Sequence, residues 1–589
     1  MMVSGKGARR DVGAEPGRLD GRRFVGPLLL VATGVGMLWW TWRAWPDPLV
    51  DFGRELYVPW RLAEGDALFT DIAWFNGPLS QYVNALLFRV FGPGLSVLVW
   101  NNALVLAACV AMVYGLIARM SDRLTATVAG IVFLLVFAFG QYVGIANYNW
   151  ITPYSHEATH GVALALAAVV AVERWHRTRS LAFVALGGLA LGLCFLTKVE
   201  TFLAGALGSA VLLAVAVRRR EARAPATFLL AALVPVAISV SLLGIAGTLG
   251  AWPSLLNTEV AQLPFYRGVT GLDRPAARAV EMVTWAGLWL LILLPLLAVA
   301  RLAGRTRGLL VPLATAAVLL LALAALGERI VWPNALRPLP LFAVTIAAWL
   351  SVGAWRGEET RTRIAGIAFA ALGLALLTKM LLNVRVGHYG FVLAMPASML
   401  VVTAFVGWLP TWLDARGARG DVFRAGGLAL LAVFALEHLS ITGEWLDRKT
   451  EVVGSGRDAF QSDVRGAFVN QAITRVTASG VTSLAVLPEG VMLNYLARAP
   501  NPTPYVNFMP PEELLFGDAA WTDAFRSSPP EMIVIVPKDT SEYGRGPFGV
   551  GYGRSLAAWV ASEYTLGGVI RFDGIPYEIR ILVRASPTG

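Results

Sequence analysis

Apolar residues in this chain come in long blocks separated by short polar breaks, and each block approaches the ~20 residues a helix needs to cross a bilayer. Blocks begin near Phe24, Leu95, Leu124, Gly161, Leu181, Phe202, Phe228, Met282, Leu309, Leu341, Ile364, Phe391 and Gly426. The 589 residues are 56% hydrophobic and 15% charged, a balance that excludes a soluble globular protein of this size. The expected fold is a membrane all-α bundle of about thirteen transmembrane helices, with a small C-terminal α/β domain outside the membrane.

A net charge of +10 could suggest a nucleic-acid partner, but the placement of arginine argues against one. Arg218, Arg219, Arg220 and Arg223 form one cluster, and Arg301, Arg305 and Arg307 a second. Arg356, Arg361 and Arg363 form a third, and Arg416, Arg419 and Arg424 a fourth. All sit in breaks between apolar blocks, as cytoplasmic loops do under the positive-inside rule. The basic start (Arg9, Arg10, Arg22, Arg23) precedes an apolar run from Phe24 to Trp40 with no small-residue cleavage site, so it reads as an uncleaved anchor. An odd number of spans starting inside leaves the C-terminus outside. The chain divides into a cytoplasmic tail (1–23), a multi-pass catalytic part in the cell membrane (24–442) and an extracytoplasmic α/β domain (443–589). Cys109 and Cys194 both fall in apolar blocks and read as packed thiols.

The first outer loop, from Ala44 to about Gly94, is long. Helix-like apolar spacing from Phe52 to Leu62 and from Leu79 to Phe91 predicts two helices lying in the membrane interface. Trp39, Trp40, Trp42, Trp45, Trp60 and Trp74 read as an aromatic belt at headgroup level. Beyond Gly443, short strands are predicted at 483–487, 532–536 and 577–583, with a helix-like stretch over 491–498.

Polar residues at the outer ends of the blocks need explaining. Asp51 lies just past the first span, and a carboxylate kept at a membrane surface is a functional hypothesis by default. Lys198 and Lys379 stand at outer helix ends, where positive-inside would not put them, each closing a Leu-Thr-Lys run. Glu157, Glu200, Glu328, Arg329, Arg337 and Arg385 fall on the same face, as do His156, His160, His388 and His438. The run from His156 to His160 reads His-Glu-x-x-His, which on a helix places two imidazoles one turn apart, as in zinc metalloproteases. His156, Glu157 and His160 are thus candidate ligands for a divalent metal, although Leu166 stands where the longer pattern has a third histidine. No P-loop and no dinucleotide fingerprint occurs.

The loop around Asp51 resembles the GT-C glycosyltransferases, polytopic enzymes related to protein O-mannosyltransferases and the lipid A aminoarabinose transferase. The residues that carry the resemblance are Asp51 right after the first span, Tyr57, the run from Leu62 to Asp71, and Gly77-Pro78-Leu79 with Tyr82 before a helix ending in Phe91-Gly92. Where such enzymes often have Asp-Glu, this chain has Asp51 followed by Phe52, with Glu55 the nearest glutamate. The resemblance implies an inverting sugar transfer from a polyprenyl-phosphate donor to a lipid, glycan or protein acceptor at the outer membrane surface. It makes Asp51 the candidate general base, with Glu55 its rival. Lys198, Arg337, Lys379, Arg385 and His388 become phosphate-binding candidates. His156, Glu157 and His160 would line the same cavity, with Glu55, Tyr57, Glu200 and Tyr389 as further substrate contacts. A phosphate leaving group needs no proton, so one base suffices. Charged residues near broken helices also suit a transporter or lipid flippase, and His-Glu-x-x-His suits a metalloprotease. A one-sided polar cavity favours the transferase, and a central one favours transport.

Overall fold

The computed structural model describes residues 22–146, 148–250, 252, 263–304, 308–357 and 360–585. The expected N-terminal tail up to residue 21, Arg305, Arg307 and the Glu328 side chain lie outside the described residues. Among the described residues nine helices are long and apolar enough to cross a membrane, and four further apolar helices are 10–17 residues long. The first part runs α1 (Arg22–Trp40), α2 (Phe52–Glu64), α3 (Leu79–Phe91), α4 (Leu95–Met120) and α5 (Arg123–Val132), the last continued by a π-helical stretch to Ala138. Next come α6 (His156–Thr178), α7 (Leu181–Phe195), α8 (Val199–Arg218) and α9 (Arg223–Leu249). Later long helices are Pro275–Leu302, Leu310–Leu326, Leu339–Trp355, Arg361–Leu377 and Gly420–Asp447. The helix Met395–Thr403 is extended through a π-helical stretch to Asp414.

Local chemistry starts and joins these helices. Asp122 caps α5 by accepting the Thr125 N–H, and Thr360 caps the helix at Arg361 by accepting the Arg363 N–H. Helix α7 packs closely on α9 because Gly188 and Gly192 bring its backbone against the carbonyl oxygens of Phe228 and Ala232. A Cβ at either glycine would strike those oxygens. Cys109 and Cys194 are buried free thiols.

The loop after α1 departs from the interfacial picture. Helix α2 is buried along most of its length, packed on α3 and on the helix Met492–Ala497 from the far end of the chain. Of the six tryptophans expected in a belt, Trp39, Trp40 and Trp42 are exposed, whereas Trp45, Trp60 and Trp74 are buried in protein. The reason is the same for both: residues beyond 450 fold back over this loop and replace lipid headgroups as its surroundings.

That C-terminal part holds a hairpin, β1 (Glu451–Val453) with β2 (Phe460–Ser462), and a four-stranded sheet. Its strands β3 (Leu484–Leu487), β4 (Met532–Ile535), β5 (Tyr564–Arg571) and β6 (Glu578–Arg584) lie in the order β3-β4-β6-β5. Strands β3 and β4 are parallel and end level, Leu487 opposite Ile535. Phe508, Trp521, Phe525 and Leu556 belong to the buried core that packs around Ala485 and Ile533 of this sheet. The level ends of β3 and β4 therefore deliver their next residues side by side.

Candidate active site

A cavity open to one side lies where these parts meet. Its walls come from the loop after α1 (Asp51, Arg54), the loop before α6 (Tyr148, Tyr154), the α7–α8 junction (Lys198, Glu200) and the segment after Leu377 (Lys379, Tyr389). The C-terminal part adds Glu489, Asn507, Glu512, Lys538 and Glu542. The membrane helices contribute only from their ends, all on the side of the C-terminal part. None of the described arginines in the four clusters between blocks lines it.

Asp51 occupies a strained position, with φ 57° and ψ −63° at the start of α2. A non-glycine residue is held there only by its surroundings, and such outliers gather at functional sites. Here the Asp51 N–H donates to Glu489 Oε1 (3.1 Å), and its Oδ1 lies 3.1 Å from Arg54 Nη2. Burial pushes the Asp51 carboxyl up to about 6. Arg54 holds it down, while the Glu489 carboxylate raises it further. Glu489 comes after β3 and Lys538 after β4, and the two pair at 2.6 Å. Burial works against the Lys538 charge, yet Glu489 keeps its pKa above the ordinary value. Burial also raises the Glu512 carboxyl, to about 7, with Arg54 opposing.

The two Leu-Thr-Lys runs converge on one carboxylate. Lys379 Nζ lies 2.8 Å from Glu200 Oε1 and Lys198 Nζ 3.9 Å from the same oxygen. Lys198 also donates to the Tyr154 hydroxyl (3.2 Å). Tyr154 and Tyr389 meet edge to face at 5.2 Å and flank both lysines.

Other sequence-predicted residues lie elsewhere. Glu55, His156, Glu157 and His160 are buried behind the cavity and do not line it. His156 Nδ1 is 2.6 Å from Glu55 Oε2, which also accepts the His156 backbone N–H. The other ring nitrogen meets Asn102 at 2.9 Å. Gln81 donates to both Glu55 (3.1 Å) and Glu157 (2.9 Å), and the Ser155 hydroxyl donates to Glu157. His160 Nδ1 faces Ser80. The carboxylates and His156 are thus committed to hydrogen bonds that lock α2, α3 and α6 together. Among the described residues no group of three or more His, Cys, Asp or Glu is placed to hold a metal ion. The side chains of the His-Glu-x-x-His run do not fit one.

Tyr57 accepts the Asn501 N–H (2.9 Å) and so anchors the C-terminal part on α2. Arg337 pairs with Glu281 at 2.9 Å, on a different flank from the cavity. Arg385 is exposed, and its field comes from Arg278, Glu281 and Asp273. Both His388 nitrogens are taken by backbone, Val269 O at 3.0 Å and the Gly390 N–H at 2.9 Å. Sequence reasoning missed Arg54, Glu489, Glu512 and Lys538. For Glu489 and Lys538 a signal existed: both come just after buried strands, and in open α/β sheets ligands sit beyond the carboxyl ends of parallel strands.

No family model matches the sequence, and no curated protein matches it. Among solved structures the chain is similar to an Archaeoglobus fulgidus oligosaccharyltransferase crystallised with zinc and sulfate, at 14% identity and TM-score 0.47 over 86% of this chain and 68% of that one. It is also similar to the same enzyme tethered with an acceptor peptide, at 12% identity and TM-score 0.49 over 94% and 73%. A third is ArnT from Cupriavidus metallidurans bound to undecaprenyl phosphate, at 13% identity and TM-score 0.48 over 94% and 97%. These neighbours are members of the GT-C superfamily, the family that the loop around Asp51 resembles.

Proposed function

We propose that this chain is an integral membrane glycosyltransferase that moves a sugar from a polyprenyl-phosphate donor to an acceptor hydroxyl. The observation that carries the reading is the one-sided cavity, which puts a strained carboxylate with a raised pKa together with two lysines at the ends of membrane helices. In the proposed topology residues 1–23 are cytoplasmic, 24–442 span the cell membrane and 443–589 stand outside.

Asp51 accepts the acceptor hydroxyl proton. The oxygen attacks the anomeric carbon from the face opposite the phosphate, the carbon–phosphate oxygen bond breaks, and the phosphate leaves with the electron pair. The configuration inverts because a single displacement occurs. Lys198 and Lys379 offset the charge that develops on the phosphate. The lipid tail of such a donor would lie in the bilayer beside the helix ends. Transport would require the charged groups near mid-membrane, and here they sit at helix ends. Metalloproteolysis would require His156 and Glu157 to be available, and both are held in the Gln81 network.

The test is to incubate the purified protein in nanodiscs with a panel of polyprenyl-phosphate sugars and follow release of polyprenyl phosphate and the anomeric configuration of the product. Inverted product that depends on Asp51 supports the reading. Absence of any transfer, or product with retained configuration, refutes it.

A further inference from the structure

Four residues before Asp51, the Asp47 side chain is fully buried and does not line the cavity. Its Oδ1 accepts the backbone N–H groups of Leu49 (3.0 Å) and Val50 (2.9 Å). Its Oδ2 lies 2.9 Å from Arg465 Nη2, 418 residues away in the chain, and Arg465 Nη1 donates to Oδ1 at 3.4 Å. Arg465 opens the helix Arg465–Ser479, just after β2, and is held in turn by Asp463 (2.8 Å). Two further bonds tie the same segments together. The Gln461 N–H donates to the Arg43 carbonyl (2.8 Å), and Lys449 Nζ donates to the Ala44 carbonyl.

A carboxylate that bonds to the N–H groups two and three residues on makes a fixed local turn. This one closes on the backbone that leads into Asp51. The Phe52 N–H donates to the Val50 carbonyl (2.7 Å), so Asp51 is the centre of a three-residue turn. Its φ of 57° and ψ of −63° are those of the rare γ-turn, whose central residue sits near about +75° and −65°. Such a turn persists only where the surroundings over-determine it. Glu489 holds the Asp51 N–H, and Asp47 holds the Val50 N–H on the other side. Burying an ion pair adds little stability over a well-packed apolar pair. An apolar pair, however, cannot accept two N–H groups and a guanidinium fork at once.

We propose that Asp47 is a positioning residue: locked by Arg465, it fixes the backbone of residues 49 and 50 in the turn that aims the Asp51 carboxylate into the cavity. It acts through Asp51 and touches no substrate. That the aimed carboxylate is a base rests on the transferase reading, whereas the dependence of the turn on Asp47 and Arg465 does not. Glu489 and Asp47 divide the work. Glu489 bonds to Asp51 directly and its charge bears on the Asp51 proton, while Asp47 ranks last among the charged groups that act on that carboxyl. Loss of Asp47 should therefore show in the rate and not in the pH profile.

The test compares Asp47→Asn, Arg465→Gln and Arg465→Lys with the wild type, each full-length and monodisperse in nanodiscs. Sugar transfer gives kcat, donor KM and the acidic limb, and amide exchange by mass spectrometry follows residues 49–52 with and without donor. A misplacement of about 1 Å can cost about 10²-fold in rate. Asp47→Asn and Arg465→Gln should therefore lower kcat roughly 10–100-fold, with donor KM unchanged and the limb still near 6. Exchange at 49–52 should be faster in both. Arg465→Lys keeps the charge without the fork and should recover part of kcat. Wild-type kcat in Asp47→Asn and Arg465→Gln, even with a lowered thermal midpoint, overturns the positioning role and leaves the pair a docking contact. Should Asp47→Asn not fold, the two Arg465 variants decide. Faster exchange in a protein that transfers no sugar leaves the turn dependent on Asp47 and removes the transferase reading. Asp51-dependent transfer with unchanged exchange does the reverse.

Discussion

Replacing Glu489 by glutamine should move the acidic limb of the activity profile downward. Glu489 stands over Asp51, and its carboxylate is one of the groups that raise the Asp51 pKa. The amide keeps the size and can still accept the Asp51 N–H, but the negative charge is gone and the pull of Lys538 on Asp51 is left unopposed. Taking roughly 6 Å between the two carboxylates and an effective dielectric of about 20–40, the removed repulsion is ~1.4–2.8 kcal/mol, or about 1–2 pKa units. Asp51 must be ionised to accept a proton, so wild-type kcat/KM should rise with pH through about 6. The variant should rise through about 4–5. At pH 5 the wild type then works at about a tenth of its plateau, and the variant at about half or more. Lys538→Met should move the limb the other way, and by less, because its effect on Asp51 ranks below that of Glu489. Opposite shifts from two substitutions in one ion pair are hard to produce by general damage. The assay is kcat/KM for sugar transfer from pH 4 to 8. An unmoved limb in both variants, or an upward shift in Glu489→Gln, would refute Asp51 as the titrating base.

Four further outcomes are expected. Asp51→Asn should lower kcat by ~10²–10⁴-fold with donor binding retained. Glu55→Gln should instead lower the thermal midpoint, because it breaks the buried pair with His156, and should leave the acidic limb in place. Lys198→Met should weaken donor binding in a pull-down with labelled polyprenyl phosphate. Lys379→Met should also destabilise the fold by ~3–5 kcal/mol, because Glu200 loses its nearest cation, so equal thermal midpoints in the two variants would refute the division of roles. Gly77→Ala should damage the site from outside it: a Cβ there would strike the Leu196 carbonyl oxygen, and Gly77 N–H donates to Thr197 O (2.8 Å) just before Lys198. A loss of ~1–3 kcal/mol with weaker donor binding is expected, and wild-type values in both measurements would count against it.

Alternation of apolar blocks and polar breaks was enough to place most helices. The blocks starting near Leu95, Leu181 and Leu309 correspond to helices that start at Leu95, Leu181 and Leu310. The strand at 483–487 and the closing strand at 577–583 appear at Leu484–Leu487 and Glu578–Arg584. The same alternation fixes which end of the bundle a residue occupies, but not its position around that end. That is why Lys198, Lys379, Arg337 and Arg385 read alike in sequence, yet only the first two line the cavity with Asp51. His-Glu-x-x-His announced two imidazoles on one face of α6, which is true. Its partners Gln81, Asn102 and Glu55 come from three other helices, and no spacing along the chain reveals them. The burial of Trp60 and Trp74 escaped for a related reason: local composition cannot tell lipid from a protein domain docked 400 residues later.

The contact between Asp51 and Glu489 spans 438 residues. During synthesis at about 5–20 residues per second, roughly 20–90 s pass between the emergence of the two. In that interval the membrane part can insert and pack, but Asp51 lacks the group that holds its backbone and sets its proton affinity. With Asp51 as the base proposed above, a nascent or prematurely terminated chain would reside in the bilayer with its lysines in place and no working base. On that mechanism activity would arrive only when the last strands close over the loop, and incomplete copies would not consume the proposed lipid-linked sugar.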